Sequence, residues 1–596
     1  MTPSWINRLH TWREQHLSER NLVALLALLV GVAAGLAAVL LKFLIGFIGH
    51  LVESTVDVTQ GNWQDLVFPA VGIMLSALYV RYMVRDNISH GVTRVLYAIA
   101  LKKSRLKVKN MYASLVASSM TIGFGGSVGA EGPIVFTGAA IGSNLGRVFR
   151  LSPQTLMLLV GCGAAAGIAG IFKAPIAGVL FAIEVLMLDL SAARAMPLIL
   201  ASVCGATVAY VFTGYNVEFF FSQSEPFYAS RIPFVVLLGV FCGFVSLYFS
   251  GIVSGIETMF RRVNNARLRY LIGALTLSVL IFLLPPLYGE GYGAITHLLN
   301  GHVNEVFDNS LFYSYRTTPW CVALFVLMLG AFKGVATAAT NGAGGVGGTF
   351  APSLYVGCMA GFFFAYALNM SGMVDASLPL SIKNFALLGM AGVMAGVMHA
   401  PLMAIFLTAE MTGGYDLFLP LLIVSAISYG TSRIFTPYGI YARRLAQRGQ
   451  VLTHEKDQSV LTLLSMDSVI ETDFAPVSPE MNLKQMVKTI AQSNRNLFPV
   501  TDAAGILVGV VQLDDIRNIM FRPDLYHRLY VRQFMSEPVV RVLVDSPMEQ
   551  VMKAFEESGT WNLPVVDSAG HYVGFVSKSK IFNSYRQVLQ RLDLIN

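Results

Sequence analysis

Residues 163–184 read GAAAGIAGIFKAPIAGVLFAIE, and residues 389–410 read GMAGVMAGVMHAPLMAIFLTAE. At a constant offset of about 226 they share Gly163/Gly389, Ala165/Ala391, Ala169/Ala395, Gly170/Gly396, Ala174/Ala400, Pro175/Pro401 and Glu184/Glu410. Upstream, GGSVGAEGP (Gly125–Pro133) pairs with GGVGGTFAP (Gly344–Pro352) through Gly125/Gly344, Gly126/Gly345, Gly129/Gly348 and Pro133/Pro352. Two matched pairs in the same order predict two structural halves. Small-residue helix packing alone would enrich Ala and Gly, but it would not place an Ala-Pro and a Glu at equal spacing twice.

The surroundings are those of a membrane protein. Of 596 residues, 55% are hydrophobic and 13% charged, against about 25% charged in soluble globular chains. Mean hydropathy is +0.60. This excludes a single soluble domain, a coiled coil or a disordered chain. Long apolar segments at 22–52, 63–80, 197–213, 232–252, 270–287, 318–332 and 417–429 predict spanning helices. Shorter pieces broken by Gly and Pro lie at 111–124, 132–148, 155–171, 175–188, 352–368, 385–397 and 401–409. Broken helices at membrane depth must be covered by protein or line a cavity. The 54 glycines and 23 prolines suit that architecture.

The net charge of +7 sits in short runs beside apolar segments, which predicts membrane flanks rather than nucleic-acid binding. The runs are Arg8, Arg13 and Arg20; Lys102, Lys103, Arg105, Lys107 and Lys109; Arg261, Arg262, Arg267 and Arg269; and Arg443, Arg444 and Arg448. Cys162, Cys204, Cys242, Cys321 and Cys358 have neither metal-ligand nor disulfide spacing and read as small buried hydrophobes; no metal site is expected. Residues 1–20 carry charge throughout and read as an N-terminal helix rather than a signal peptide.

Each glycine-rich turn opens an apolar helix. A helix start carries about half a positive charge and several free N–H donors, so it can hold an anion without a cation. Two such ends meeting near the midplane would bind a small anion weakly enough to release it. Glu131, between glycines in an apolar region, is expensive there and therefore reads as functional. Its carboxylate can occupy the anion's place and vacate it on protonation.

GAEGP around Glu131 resembles the GxEGP motif of the CLC chloride channels and chloride/proton exchangers. GGTFAP (347–352) resembles that family's second anion-binding helix start, and Tyr441 in GIYARR falls at its central tyrosine. Ser89–Val92 (SHGV) is similar to its first anion-site motif. The resemblance covers about residues 20–446. It implies an all-α polytopic membrane domain of inverted-repeat broken helices over 21–446, with halves of about 21–215 and 230–446. It also implies a homodimer with one pore per subunit, a chloride substrate with protons in the exchangers, and no enzyme activity. Residue by residue, Glu131 would be the gating glutamate, with His90, Thr349, Phe350 and Tyr441 as anion-site residues. Departures are Ala130 where the family commonly has Arg or Lys, and Thr93 followed by Arg94 where it has Pro. Val185 occupies the position of the exchangers' inner proton glutamate, which tilts the expectation toward a channel over an antiporter. Glu184, matched by Glu410, is expected to bond free backbone N–H groups.

After a linker over 447–465 the pattern changes to short alternating runs. FPVTDAAGILVGVVQLDDI (498–516) repeats as LPVVDSAGHYVGFVSKSKI (563–581), each strand, Asp turn, strand, helix. This resembles an α/β tandem CBS pair, 466–523 and 530–590. Such pairs often bind an adenine nucleotide; Asp515 stands at the ribose-binding position, and its counterpart is Lys580. Localisation is expected in a bacterial inner membrane with the CBS pair cytoplasmic. Fluoride export is a family alternative whose motifs are not evident. A membrane enzyme lacks its HExxH, DxxD or GxSxG constellation, and a membrane-anchored nucleotide sensor would not need Glu131.

Overall fold

The computed structural model describes residues 18–54, 66–86, 88–101, 104–188, 192–215, 219, 227–375, 378–446 and 465–584. Most of the expected N-terminal helix and of the 447–465 linker, and the basic residues Arg8, Arg13, Lys102, Lys103 and Arg448, lie outside them. The chain divides into a membrane unit ending at Gln450 and a second unit from Val451.

Apolar sequence runs become helices throughout the membrane unit: α1 (Glu19–Ser54), α2 (Phe68–Tyr79), α3 (Gly91–Leu101), α4 (Ala113–Gly123), α5 (Glu131–Val148), α6 (Pro153–Phe172), α7 (Pro175–Leu180), α8 (Ala192–Thr213) and α9 (Ile232–Arg262). They continue as α10 (Ala266–Leu283), α11 (Tyr292–Leu299), α12 (Pro319–Ala343), α13 (Phe350–Met370), α14 (Ile382–Met398), α15 (Pro401–Thr412), α16 (Phe418–Phe435) and α17 (Ile440–Ala446). Among the described residues, eight helical spans are long and apolar enough to cross a membrane. Four correct the sequence expectation by gaining a full turn or more: the run at 197–213 starts at Ala192 and the run ending at Tyr429 continues to Phe435. The run ending at Ile252 continues as helix to an exposed Arg261 and Arg262, and the one ending at Phe332 continues through the buried Lys333 to Ala343.

The two halves interlock by reciprocal bonds. The Gly129 N–H donates to the Gly348 carbonyl at 3.0 Å, and Gly348 returns the bond at 2.7 Å, so the glycine-rich turns pair antiparallel. Ser127 N–H donates to Thr340 Oγ1, and Val346 N–H to Thr121 Oγ1. Glu184 accepts from Leu402 and Met403 N–H at 3.2 and 2.7 Å, while Glu410 accepts from Ile176 and Ala177 N–H at 3.0 and 2.9 Å. Each carboxylate thus caps the short proline-opened helix of the other half, satisfying N–H groups that proline-led helix starts leave free. Within each half, close glycine contacts bring the main helix pair together. A Cβ on Gly138 would stand 2.1 Å from the Gly163 carbonyl, and one on Gly357 would stand 2.4 Å from that of Gly389.

The second unit also exchanges parts. Strands β1 (Ile470–Glu471), β2 (Leu497–Thr501), β3 (Leu507–Gln512), β4 (Val542–Leu543), β5 (Asn562–Val566) and β6 (Tyr572–Ser577) form sheets β1-β6-β5-β4 and β2-β3. β1 precedes the first repeat yet pairs with β6 of the second, and Ser536, opening the second repeat, bridges Val510 of the first. Helices α18 (Leu483–Gln492), α19 (Leu513–Ile516) and α20 (Met548–Ser558) complete the unit. Phe498, Val500 and Val511 centre one apolar core, and Phe555, Val565 and Val576 the other.

Candidate functional site: four chain segments around Glu131

Three helix starts and one short helix converge. A Cβ on Gly91, at the start of α3, would lie 2.2 Å from the Gly132 carbonyl, and one on Gly132 would lie 3.1 Å from Gly348 Cα. Only glycine permits backbones this close. Thr349 precedes α13, and its hydroxyl donates to Tyr441 Oη on α17 at 3.5 Å. Thr349, Phe350 and Tyr441 are buried, and the Phe350 ring stacks on Phe172 with centroids 5.5 Å apart. The fold therefore gathers Glu131, Thr349, Phe350 and Tyr441, and sets His90, held at φ 57°, beside them at the start of α3.

Glu131 is the first residue of α5 and 1% exposed. Its carboxylate lies in the crease between the paired glycine turns. A Cβ on Gly129 would fall 2.0 Å from Oε2, and one on Gly348 would fall 3.1 Å away. Gly348 stands two residues before Phe350, the first residue of α13, so the carboxylate lies close to that helix start. Oε1 accepts from the Tyr292 hydroxyl at 3.2 Å, and Oε2 has no hydrogen-bond partner among the described residues. A buried carboxylate is thus seated between the glycine turns of the two halves.

A strap not anticipated from sequence secures this arrangement. Residues 287–292 run along the first glycine turn. Ser127 Oγ donates to the Leu287 carbonyl at 2.7 Å, Gly289 N–H to the Gly125 carbonyl at 3.1 Å, and Ala130 N–H to Glu290 Oε1 at 2.9 Å. The fully buried Lys333 donates to the Leu287 and Gly289 carbonyls at 3.3 and 2.9 Å. The signal was present: GEGYG (289–293) sets a glutamate between glycines, as GAEGP does, and Lys333 ends an apolar run.

His90 faces a cavity of about 710 Å³ whose wall includes Arg85, Arg94, Glu257, Arg269 and Arg444. Its Nδ1 lies 3.9 Å from Glu257 Oε1. Arg444, three residues past Tyr441, forms a two-pronged ion pair with Glu257 through Nε and Nη2. It is 9% exposed: a buried guanidinium needs a carboxylate partner, and Glu257 provides it. Asp86, on the cavity wall, is pushed up by burial, but Lys107, Lys109 and Arg94 outweigh this and hold it below the ordinary carboxylate range. Val185 is buried beside Glu184, and Glu184 does the helix-start bonding expected of it. All five cysteines are free; Cys204 and Cys321 are only half-buried, unlike the other three. Asp515 is exposed, and its Oδ2 accepts from Gln512 N–H at 2.8 Å, capping its own helix.

The family model for voltage gated chloride channels matches residues 71–433. The chain belongs to this CLC family. Two CBS domain matches cover 466–522 and 531–586. Among curated relatives, a putative chloride channel protein ClcB-like from Ralstonia nicotianae is 30% identical over 390 residues, 65% of this chain and 86% of its own. The voltage-gated ClC-type chloride channel ClcB of Salmonella typhi is 27% identical, over 71% of this chain and 99% of that one. Among solved structures, a slow cyanobacterial Cl⁻/H⁺ antiporter aligns with TM-score 0.60 at 22% identity, covering 72% of this chain and 98% of that one. A CLC-type fluoride/proton antiporter aligns at 0.57 and 26% identity over the same shares. The membrane unit of this CLC protein is a chloride-transport domain, and the protein is an integral membrane protein.

Proposed function

We propose that this CLC protein passes chloride through one pore in each subunit of a homodimer in a bacterial inner membrane, with Glu131 as the gate. The observation that carries this reading is the buried Glu131 carboxylate lying between the glycine turns of the two halves, against Gly129 and Gly348 just before the start of α13. Deprotonated, it fills the anion's place; protonated, it loses its attraction for the helix start and swings away. His90, Thr349, Phe350 and Tyr441 line the conducting path. Passive conduction is favoured over exchange because Val185 cannot carry a proton. Likeness to a Cl⁻/H⁺ antiporter supports the second reading, a coupled exchanger. The CBS pair is a cytoplasmic dimerisation and regulatory module that needs no cofactor; the alternative is an adenine nucleotide with Asp515 as its ribose contact, in the one half-site whose acidic residue is kept.

The test is reconstitution into liposomes under a chloride gradient, recording chloride and proton flux together. Chloride flux without proton movement is expected. Uphill proton movement driven by chloride establishes the exchanger, and no chloride flux overturns the reading. Glu131→Gln is expected to abolish the pH dependence of the flux.

A further inference from the structure

Sequence spacing assigns no metal ligand to this chain, yet the fold draws three together away from the anion site. His297 lies in the last turn of α11, His302 follows the turn at Gly301 (φ +82°), and Glu305 lies in the 3₁₀ turn Val303–Phe307. One ring nitrogen from each histidine and one Glu305 oxygen all lie within 4.8 Å of one another. His297 Nδ1 is 2.7 Å from Glu305 Oε2, and His302 Nδ1 is 3.6 Å from Oε1. Backbone bonds fix the turn: His302 N–H donates to the His297 carbonyl at 2.8 Å, and Glu305 N–H to the His302 carbonyl at 3.2 Å. All three side chains are solvent-accessible, so an ion can reach them.

We propose that His297, His302 and Glu305 bind a divalent transition cation of the zinc class, and that occupancy of this site biases the Glu131 gate. Two imidazoles and one carboxylate form the ligand set of open zinc sites, in which water completes the tetrahedron. Mixed nitrogen and oxygen donors favour zinc over the harder Mg²⁺ and Ca²⁺, which prefer oxygen. Both Glu305 oxygens face an imidazole nitrogen, so the three donor groups stand together in the turn. Lys383 flanks the turn, its Cε 3.0 Å from where a Cβ on Gly301 would be, and its charge opposes the cation. The route to the gate is short. α11 is eight residues, about 12 Å, and its first residue, Tyr292, donates to Glu131. Clamping the last turn of α11 to the segment that follows therefore fixes the helix that carries the gate's donor. The coupling rests on the gate proposed above; the binding does not.

The experiment titrates Zn²⁺ alone into the chelator-stripped, detergent-purified full chain by calorimetry, then measures chloride flux with and without Zn²⁺. One zinc per chain is expected, with no comparable Mg²⁺ binding. His302→Ala leaves the His297–Glu305 bond intact and should weaken binding by at least about tenfold, whereas Lys383→Gln should tighten it. Absence of zinc binding in the wild-type chain, or equal binding by His302→Ala, overturns the site. Zinc that binds and leaves the flux unchanged overturns the coupling.

Discussion

The Tyr292 hydroxyl donates to Glu131 Oε1 at 3.2 Å, joining the first residue of α11 to the first residue of α5. A hydrogen bond to a charged group contributes about 1.5–3 kcal/mol, and this length suits the lower end. Tyr292→Phe is therefore expected to shift the closed-to-open ratio roughly tenfold toward open. Liposome chloride efflux at neutral pH should rise. At a pH acid enough to protonate Glu131 the two proteins should converge, since the bond acts on the carboxylate.

Gly129→Ala and Gly125→Ala should fail in different ways. At Gly129 the three atoms nearest the new methyl all belong to the end of the Glu131 side chain, so the protein should fold and leak chloride with a flattened pH profile. At Gly125 the backbone sits at φ +96°, and the methyl would land 2.1 Å from the Tyr288 ring. Gly125→Ala should lower the thermal midpoint in detergent and the yield of folded protein.

Glu184→Ala and Glu410→Ala should destabilise by similar amounts, since each strands two backbone N–H groups at a helix start. The cost is about 3 kcal/mol each, read from denaturation midpoints. The Gln variants, which keep an acceptor, should lose less. An Ala variant at wild-type stability would show that the cross-capping contributes nothing.

Glu257→Ala leaves Arg444 buried without its carboxylate, at a cost of about 3 kcal/mol. The double variant Glu257→Leu with Arg444→Met should recover most of that stability, because replacing both partners removes the unpaired charge. Failure to recover would mean the ion pair also sets the placement of Tyr441.

In the tail, the His571 ring and N–H, together with the Ala569 N–H, hold Asp567 below the usual carboxylate range. A value lowered on folding adds stability above the unfolded value and loses it as pH falls through the folded one. Asp567→Ala should therefore lower the melting midpoint of the tail's transition near neutrality and make progressively less difference as the pH falls below the ordinary carboxylate range.

Much of this was legible in the chain. The paired motifs exposed the two halves, and Glu184 and Glu410 do the backbone bonding their spacing implied. Glu131 was conspicuous because a carboxylate between glycines in an apolar run has few structural uses. Glu290, Tyr292 and Lys333 escaped notice because their roles exist only across about 160 residues or within a helix interface, where no local period marks them. The partner of Arg444 was hidden for the same reason: Glu257 is 187 residues away. The exchanged edge strands of the CBS pair were equally hidden, since β1 is two residues long and carries no alternation of its own.

The cross-capping of the halves also sets a schedule for synthesis. Glu184 enters the membrane 218 residues before the Leu402 N–H it will bond. At 5–20 residues per second, that is a wait of roughly 10–40 s. During that wait the first half holds a carboxylate and two free N–H groups in an apolar setting with no partner of its own. Neither half is a finished object until the other arrives, so a chain truncated between them should be recognised as unassembled and degraded rather than accumulate as half a pore.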